Sequence, residues 1–237
     1  MKITAIIVAG GQGLRMKMPQ RKQYLELDGI SVLAHTLKTF DACSLISDIC
    51  LVIPREDHDY CLNCIVQPLS LLKPFRLVSG GNERQQSVYN GLKSLVMMPD
   101  DIVVIHDGVR PFVTDQHITD CINSVRECGA AILAVPVSDT LKMADDHGMV
   151  EKTLDRKSIW AAQTPQAFSF GLICEAHETA IRNHWVGTDD ASLVEALGEK
   201  VRLVQGSRNN LKITTQEDVL LARNLLKDSE IKKQEYL

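Results

Sequence analysis

The first segment that suggests chemistry is a glycine-rich turn after an apolar run at the start of the chain. It reads Ala9-Gly10-Gly11-Gln12-Gly13-Leu14-Arg15-Met16, and Lys22 follows it. Glycines let backbone amides converge on phosphate oxygens, and a nearby Arg and Lys suit the charge of a triphosphate. The turn lacks the Gly-Lys-Ser/Thr of a P-loop, and Met16 stands where a dinucleotide fingerprint has its third glycine. We therefore predict a triphosphate site, with a plain tight corner as the alternative.

Two later turns also carry polar groups at predicted strand ends. Gly80-Gly81-Asn82-Glu83-Arg84, with Ser87, opens a helix and can read a base edge or bind a phosphate; a helix cap is the alternative. The second turn, His106-Asp107-Gly108-Val109-Arg110, puts a carboxylate directly after an apolar run. Asp107 is predicted to hold Mg²⁺ that bridges nucleotide phosphates, and Arg110 to bind a second anion. An Asp–Arg salt bridge would give the same pattern.

Cations recur at the predicted ends of strands and loops. They are Arg15, Lys22, Arg110, Arg156 and Lys212. Such a set meets the electrostatic requirement for joining two anions, a nucleoside triphosphate and a phosphorylated acceptor. The sequence shows no Cys–His or Ser–His–Asp arrangement that suggests a covalent nucleophile.

The elements that position these turns alternate along the chain. Apolar runs predict strands over 3–9, 49–53, 75–78, 102–106, 131–135 and 201–204, and helical patterns lie between them over 31–40, 56–72, 83–95, 115–128, 170–183 and 215–227. Continuous Ile/Val/Leu runs are typical of strands that are covered on both faces. The order predicts an α/β fold: a Rossmann-like, doubly wound, mostly parallel sheet in a single domain over 1–237.

One segment, at about 137–162, breaks this alternation. Asp145-Asp146-His147-Gly148 lies between two stretches of apolar–polar alternation, which predicts a protruding β-hairpin. A hairpin outside the core has few places to bury apolar side chains. We therefore predict that this β-arm forms a homodimer with a second copy of the chain.

Composition excludes several classes of protein. The 237 residues carry a formal net charge of -4, which argues against a general nucleic-acid surface. Apolar runs are shorter than the ~20 residues of a transmembrane helix, so we expect a cytoplasmic protein with no membrane partner. The seven cysteines show no disulfide framework, and Cys61 and Cys64 are expected to be reduced thiols on a helix.

The motifs together resemble the 2-C-methyl-D-erythritol 4-phosphate cytidylyltransferase family of the non-mevalonate isoprenoid pathway. Besides the turns above, the resemblance includes Val137-Ser138-Asp139-Thr140, Asp155-Arg156, Thr164-Pro165-Gln166, Thr188-Asp189-Asp190-Ala191-Ser192 and Leu211-Lys212-Ile213-Thr214. It runs from the first strand to about Leu226. Two positions depart from the family pattern: Arg21 stands where a proline is usual, and Asn82 where Asp is common.

The resemblance implies transfer of CMP from CTP to 2-C-methyl-D-erythritol 4-phosphate, with Mg²⁺ or another divalent cation as cofactor. It places the nucleotide at Ala9, Gly10, Gly11, Gly13, Gly81, Asn82, Ser87 and Asp107. Arg15, Lys22 and Lys212 would neutralise the triphosphate and the transition state as catalytic residues. Arg110, Thr140, Arg156 and Thr188 would hold the acceptor, with Thr140 and Arg156 supplied by the partner's arm.

The implied mechanism follows from charge. An oxygen of the acceptor phosphate attacks the α-phosphorus of CTP and pyrophosphate leaves, without a general base, because the phosphate is already ionised. Ribitol 5-phosphate is the rival acceptor, and only the Thr140 and Thr188 loops favour methylerythritol phosphate over it. From other classes, a nicotinamide-dependent oxidoreductase and a nucleotide-binding protein without transfer activity remain as alternatives.

Overall fold

The computed structural model describes residues 1–10 and 21–235, with side chains up to residue 227. Its strands are β1 Ile3–Val8, β2 Glu26–Leu27, β3 Ile30–Ser31, β4 Asp48–Ile53, β5 Phe75–Ser79, β6 Ile102–Asp107, β7 Ala130–Pro136, β8 Lys142–Ala144, β9 Val150–Thr153, β10 Trp160–Ser169 and β11 Arg202–Gln205. Its helices are α1 Val32–Ala42, α2 His58–Cys61, α3 Gln67–Leu69, α4 Arg84–Lys93, α5 Asp115–Cys128, α6 Phe170–Asn183, α7 Asp190–Ala196 and α8 Gln216–Glu235. Every predicted strand and helix has a counterpart.

Within this described part, seven strands form the central sheet in the order β11-β7-β10-β6-β1-β4-β5. β1 pairs in parallel with β4 and β6, while β10 runs antiparallel to both of its neighbours. The carboxyl ends of β1, β4, β5 and β6 therefore meet at one edge, where open α/β sheets bind ligands. The predicted α/β fold with a mostly parallel sheet is confirmed.

Helices cover both faces of the sheet because the strands are apolar on both sides. On one face, Phe40 of α1 and Ile122 of α5 pack with Ile7 of β1. On the other, Val88 of α4 and Ile173 of α6 pack with Ile6, the next residue of the same strand. Alternate residues of one strand thus enter two different cores, as strand geometry requires.

Local signals fix where the helices begin. Ser31 is the N-cap of α1 and its hydroxyl accepts from the Ala34 amide at 3.1 Å. Asp189 caps α7 in a capping box with Ser192. The predicted helix over 56–72 is present as a continuous helical run: a 3₁₀ turn over Arg55–Asp57 leads into α2, which continues through a π-helical stretch over Leu62–Val66 into α3.

One long strand, β10, was not among the predicted strands. Polar residues and a proline at Gln163-Thr164-Pro165-Gln166 interrupt the apolar pattern, but the strand continues through them with a shift of register between Ala162 and Gln166. A proline is tolerated in a strand at such a bulge. β10 begins at Trp160, at the carboxyl edge of β6, and so brings Thr164 next to the predicted site.

The predicted hairpin is present as β8 and β9, which pair antiparallel. Asp145 closes its turn by accepting from the amides of His147 and Met149 at 3.0 and 2.8 Å, and Gly148 takes a φ of 78° there. Both strands are exposed. Because the hairpin connects β7 to β10, it leaves the sheet at the same edge as the predicted site.

Candidate active site

A cavity of about 460 Å³ lies at the carboxyl edge of β1, β4, β5 and β6. Its wall includes Ala9 and Gly10 after β1, Lys22, the turn of Gly80 to Glu83 after β5, Arg84 and Ser87 of α4, Asp107 at the end of β6, and Lys212. The site residues predicted from separate turns are therefore brought together here. Gly11, Gly13 and Arg15 lie outside the described residues.

Ser87 joins the first two turns of the site. It is 2% exposed, and its hydroxyl accepts from the Gly81 amide at 3.0 Å while donating to the Glu83 carbonyl at 3.0 Å. A β-carbon on Gly10 would meet the Ser87 hydroxyl at 3.3 Å, and one on Gly80 would meet it at 3.1 Å. Glycine at these positions thus lets the two turns approach each other and leaves their backbone groups facing the cavity.

Asp107 is the electrostatic centre of the cavity. Its Oδ1 accepts from Arg84 Nε at 3.1 Å, and its Oδ2 lies 2.9 Å from Lys212 Nζ and 3.4 Å from Arg110 Nε. Burial opposes ionisation of this carboxyl, but the charges of Arg84, Lys212 and Arg110 outweigh it and hold its pKa below the ordinary value. One carboxylate therefore organises three cations at the floor of the site.

Lys212 and Arg110 are each fixed by backbone contacts nearby. Ile213 is fully buried and donates its amide to the Val109 carbonyl at 2.9 Å, so Lys212 is directed toward Asp107. Arg110 Nη1 donates to the Asn210 carbonyl at 2.8 Å. The Asp–Arg pair that the sequence left open as a salt bridge does form, but as part of a larger cluster.

His106, for which no catalytic role was predicted, has a structural one. Its Nε2 donates to the Arg110 carbonyl at 3.1 Å, and its Nδ1 accepts from the Thr164 hydroxyl at 3.0 Å. The Thr164 oxygen in turn accepts from the Asp107 amide at 3.1 Å. Complete burial lowers the pKa of His106 to about 3, against the opposing effect of Asp107. The neutral ring thus supports the turn that carries Asp107 and Arg110.

Lys22 is positioned by its neighbour Gln23. Lys22 opens a 3₁₀ turn over Lys22–Tyr24, and the buried Gln23 donates through Nε2 to the Ala9 carbonyl at 2.8 Å. This bond ties the turn to the end of β1. Lys22 therefore lies on the cavity wall although the intervening residues 11–20 are not described.

Arg21, the departure from the family pattern, is paired with two carboxylates. Its Nη2 lies 2.7 Å from Glu56 Oε1 and its Nη1 3.3 Å from Asp57 Oδ2. Asp57 also accepts from the Tyr24 hydroxyl at 3.0 Å. The extra charge beside the cavity is therefore compensated locally. The other departure, Asn82, lies on the cavity wall, with its amide donating to Gln86 Oε1 at 2.9 Å.

None of the four predicted acceptor residues, Arg110, Thr140, Arg156 and Thr188, lines this cavity. Thr140 and Arg156 belong to the segment around the hairpin, and Thr188 precedes the cap of α7; all three are exposed. Arg156 donates to the Ser138 carbonyl, which closes the base of the hairpin. Within the described chain, only Arg110 of the predicted acceptor set contacts the Asp107 cluster.

Three side chains of the site were given no individual role from the sequence. Arg84 bonds Asp107 directly, Gln23 anchors the Lys22 turn, and the buried Asn210 donates to Gln163 Oε1 and the Thr164 carbonyl at 3.2 and 2.8 Å. Arg84 ends the Gly80–Arg84 motif and Gln23 directly follows Lys22, so both lie beside residues with a predicted role. Nothing local indicated that Asn210 would bridge to β10.

The arrangement suits the binding of a polyanion beside a planar group. Lys22, Arg84 and Lys212 bring positive charge to the wall, while the turn over residues 80–83 offers backbone donors and acceptors. In the described part of the chain, no three His, Cys, Asp or Glu side chains are grouped so that they could hold a metal ion. The cations on the wall can place phosphates and neutralise their charge.

A family model decides the assignment. It is described as 2-C-methyl-D-erythritol 4-phosphate cytidylyltransferase (IspD), and it matches residues 3–228. The chain belongs to this family. The predicted family, the enzyme class of cytidylyltransferase and the predicted function, cytidylyl transfer to 2-C-methyl-D-erythritol 4-phosphate, are thereby confirmed.

Individual relatives agree with the family assignment. The 2-C-methyl-D-erythritol 4-phosphate cytidylyltransferase of Syntrophus aciditrophicus (strain SB) is 49% identical over 229 residues, which are 97% of each chain. The crystal structure of 4-diphosphocytidyl-2C-methyl-D-erythritol synthase from Anaerococcus prevotii DSM 20548 is 36% identical, with a TM-score of 0.83 over 95% of this chain and 98% of that one. The Francisella tularensis enzyme is 32% identical, with a TM-score of 0.80 over 94% and 98%.

Two further predictions concern the cysteines and membrane-spanning helices. All seven cysteines are free thiols, and burial raises the pKa of Cys61 to about 12. Among the described residues, no helix is both long and apolar enough to cross a bilayer.

Proposed function

We propose that this cavity binds CTP and that the chain transfers its CMP to 2-C-methyl-D-erythritol 4-phosphate, releasing pyrophosphate. The observation that carries the proposal is the Asp107 cluster, in which Arg84, Arg110 and Lys212 converge on one carboxylate beside a glycine-lined wall. A triphosphate entering there meets Lys212 and Lys22 from opposite turns. Arg110, which contacts the same Asp107 oxygen as Lys212 but does not line the cavity, is proposed to bind the second anion.

The cytosine is proposed to lie against the turn over residues 80–83. Gly10 and Gly81 line the cavity and carry no side chain, so a flat base can approach their backbone closely. Ser87 holds the two turns in this arrangement. The ribose then lies toward Asp107, with the α-phosphate between Lys22 and Lys212.

The proposed metal is Mg²⁺ at Asp107. A single carboxylate fits this ion, since Mg²⁺ usually keeps several waters and is held by one or two carboxylates together with substrate phosphates. When bound, it neutralises phosphate charge. Lys212, which lies 2.9 Å from Asp107 Oδ2, is proposed to turn from Asp107 to the triphosphate as the nucleotide binds.

Catalysis is proposed to consist of placement and charge neutralisation. Arg110 orients the acceptor phosphate so that one oxygen forms a bond to the α-phosphorus, while the bond from that phosphorus to the β-phosphate oxygen breaks. Lys22, Lys212 and Arg15 stabilise the additional negative charge of the transition state. No side chain removes a proton, because the attacking phosphate oxygen is already ionised.

The acceptor site is proposed to be completed by a second copy of the chain. Thr140 and Arg156 are exposed in this chain, and the hairpin carries Met149 and Val150 at 68% and 61% exposure. Apolar side chains on a protruding hairpin gain most by packing against a partner. A homodimer would cover them and bring the partner's Thr140 and Arg156 toward Arg110 and Thr188.

The test offers two acceptors in parallel. Pyrophosphate release from CTP and Mg²⁺ is measured with 2-C-methyl-D-erythritol 4-phosphate, with D-ribitol 5-phosphate, and without acceptor. The proposal expects release with the first acceptor at a rate well above the other two. Preference for ribitol phosphate would refute the acceptor assignment, and no release with either would refute the transfer activity.

A further inference from the structure

Arg84 connects the Asp107 cluster to a second buried carboxylate. Its Nε bonds Asp107 Oδ1 at 3.1 Å, and its Nη1 lies 2.8 Å from Oδ2 of Asp190. Asp190 is 1% exposed and begins α7, far along the chain from Arg84. A planar guanidinium held at two of its nitrogens has a fixed orientation, which one contact alone would not give.

Asp190 is itself held firmly. His177, which is fully buried on α6, lies with Nε2 3.3 Å from Asp190 Oδ1. The Asp190 amide donates to Gln166 Oε1 at 3.1 Å. The His177 ring also stacks on Tyr89 of α4, with 6.2 Å between ring centroids. Three elements, α4, α6 and β10, thus fix the position of one carboxylate that contacts Arg84 but does not itself line the cavity.

The charge of Asp190 has one evident counter-ion. Although burial favours the neutral carboxyl, the charge of Arg84 and the bond from His177 hold the pKa of Asp190 below its ordinary value. Arg84 in turn stands between two buried carboxylates, which keep its pKa above the ordinary value in spite of burial. Buried ion pairs such as Arg84–Asp190 rarely add net stability. Stability alone therefore does not explain why the carboxylate of Asp190 is kept ionised in the interior.

We infer that Asp190 is a positioning residue for the nucleotide site: it anchors Arg84, and Arg84 orients the Asp107 carboxylate. This inference rests on the proposed function, since it assigns Asp107 to the CTP side of the site. With Arg84 fixed on Oδ1, the other oxygen of Asp107 faces Lys212 and Arg110. Without the anchor, Arg84 can turn about its side chain and Asp107 can rotate with it. CTP then binds a site that is no longer preorganised.

The decisive variant is Asp190→Asn, which keeps the shape and removes the charge. CTP binding is measured by calorimetry on the full chain with Mg²⁺ and without acceptor, and KM is measured separately for CTP and for the acceptor. We expect the Kd and KM for CTP to rise about tenfold, the equivalent of about 1.4 kcal/mol, with a smaller change in the acceptor KM. An unchanged Kd for CTP would overturn the inference.

A matched control separates positioning from loss of stability. Asp48 is also a buried carboxylate, 5% exposed, and it pairs with Lys2 at 2.6 Å at the opposite edge of the sheet. Asp48→Asn should lower the melting temperature as Asp190→Asn does but leave the Kd for CTP unchanged. An equal loss of CTP affinity in both variants would mean that Asp190 acts only through stability.

A double-mutant cycle shows whether Asp190 acts through Arg84. In Arg84→Lys the amine can reach only one of the two carboxylates, so CTP affinity should fall at least as far as in Asp190→Asn. In the double variant we expect no further loss, because the two residues form one chain of contacts. A rise in the Kd for CTP in the double variant that equals the product of the two single-variant rises would overturn the inference.

Two outcomes fall outside this cycle. If Asp190→Asn does not fold, Asp190→Glu, which keeps the charge but displaces it, takes its place: unchanged CTP affinity refutes the inference, and weaker CTP binding with an unaltered acceptor KM supports it. If the wild-type chain binds no CTP, the proposed function itself fails.

Discussion

Replacing Lys212 by alanine is the sharpest perturbation of the proposed chemistry, because it removes one cation and little else. Lys212 Nζ lies 2.9 Å from Asp107 Oδ2, but the Lys212 side chain is 39% exposed. When the lysine is removed, Asp107 keeps its ion pairs with Arg84 and Arg110. No buried charge is left unpaired, so the large penalty for breaking a buried ion pair does not apply. We expect the melting temperature to change by no more than about 2 °C, as for an exposed ion pair.

In contrast to the small change in melting temperature, we expect a large loss of activity in Lys212→Ala. A preorganised donor that meets developing charge in the transition state is typically worth about 10²–10³ in kcat, or about 2.7–4 kcal/mol. Lys212→Ala should therefore lower kcat for pyrophosphate release by at least about 10² at saturating CTP and acceptor. Lys38→Ala, a change at an exposed residue of α1, is the control and should leave kcat unchanged.

The pattern of kinetic constants is as informative as the size of the effect. A loss in kcat with little change in the KM for CTP assigns Lys212 to the transition state, whereas a rise in KM alone assigns it to ground-state binding. Near-normal turnover in Lys212→Ala would refute the proposed role of the Asp107 cluster in organising catalytic charge.

Three further predictions concern other parts of the chain. Lys22→Ala should lower turnover by ~10² or more at unchanged melting temperature, and Lys93→Ala, at a cation on the far end of α4, should not. Met149→Asp with Val150→Asp should give monomers in sedimentation and raise the acceptor KM, while Leu72→Asp, at an exposed apolar residue away from the hairpin, should leave the oligomeric state unchanged. His106 binds its proton more weakly when folded, with a pKa near 3 against about 6.5 when unfolded, so stability is lost as pH falls below 6.5. The free energy of unfolding in urea should drop between pH 7 and pH 5, and His106→Gln should flatten that drop; an equal drop in both proteins would exclude His106 as its source.

The architecture was predictable because its signals are local. Runs such as Ile102 to Ile105 are apolar throughout, and parallel strands buried on both faces have that composition. The site followed from a topological rule, since the turns after β1, β5 and β6 must meet at one edge of the sheet. Ser31 and Asp189 marked helix starts by the usual capping preference.

Contacts between residues distant in sequence were not predictable from one chain. The bond from Arg84 to Asp190 and the bond from Asn210 to Thr164 depend on how α7 and β10 pack, which no periodicity reveals. The strand β10 was not predicted, because polar residues and Pro165 interrupt its apolar pattern at the bulge. The predicted roles of Gly11, Gly13 and Arg15 remain predictions, as those residues lie outside the described chain.

The central claim is that CTP lies in the cavity between the β1 turn and the Asp107 cluster. A crystal structure with Mg²⁺ and a CTP analogue that cannot be cleaved between the α- and β-phosphates tests it most directly. We expect the cytosine against Gly81 and Ser87, and the α-phosphate within hydrogen-bonding distance of Lys22 and Lys212. An analogue bound elsewhere, such as in the second cavity beside Tyr89 and Trp185, would contradict it.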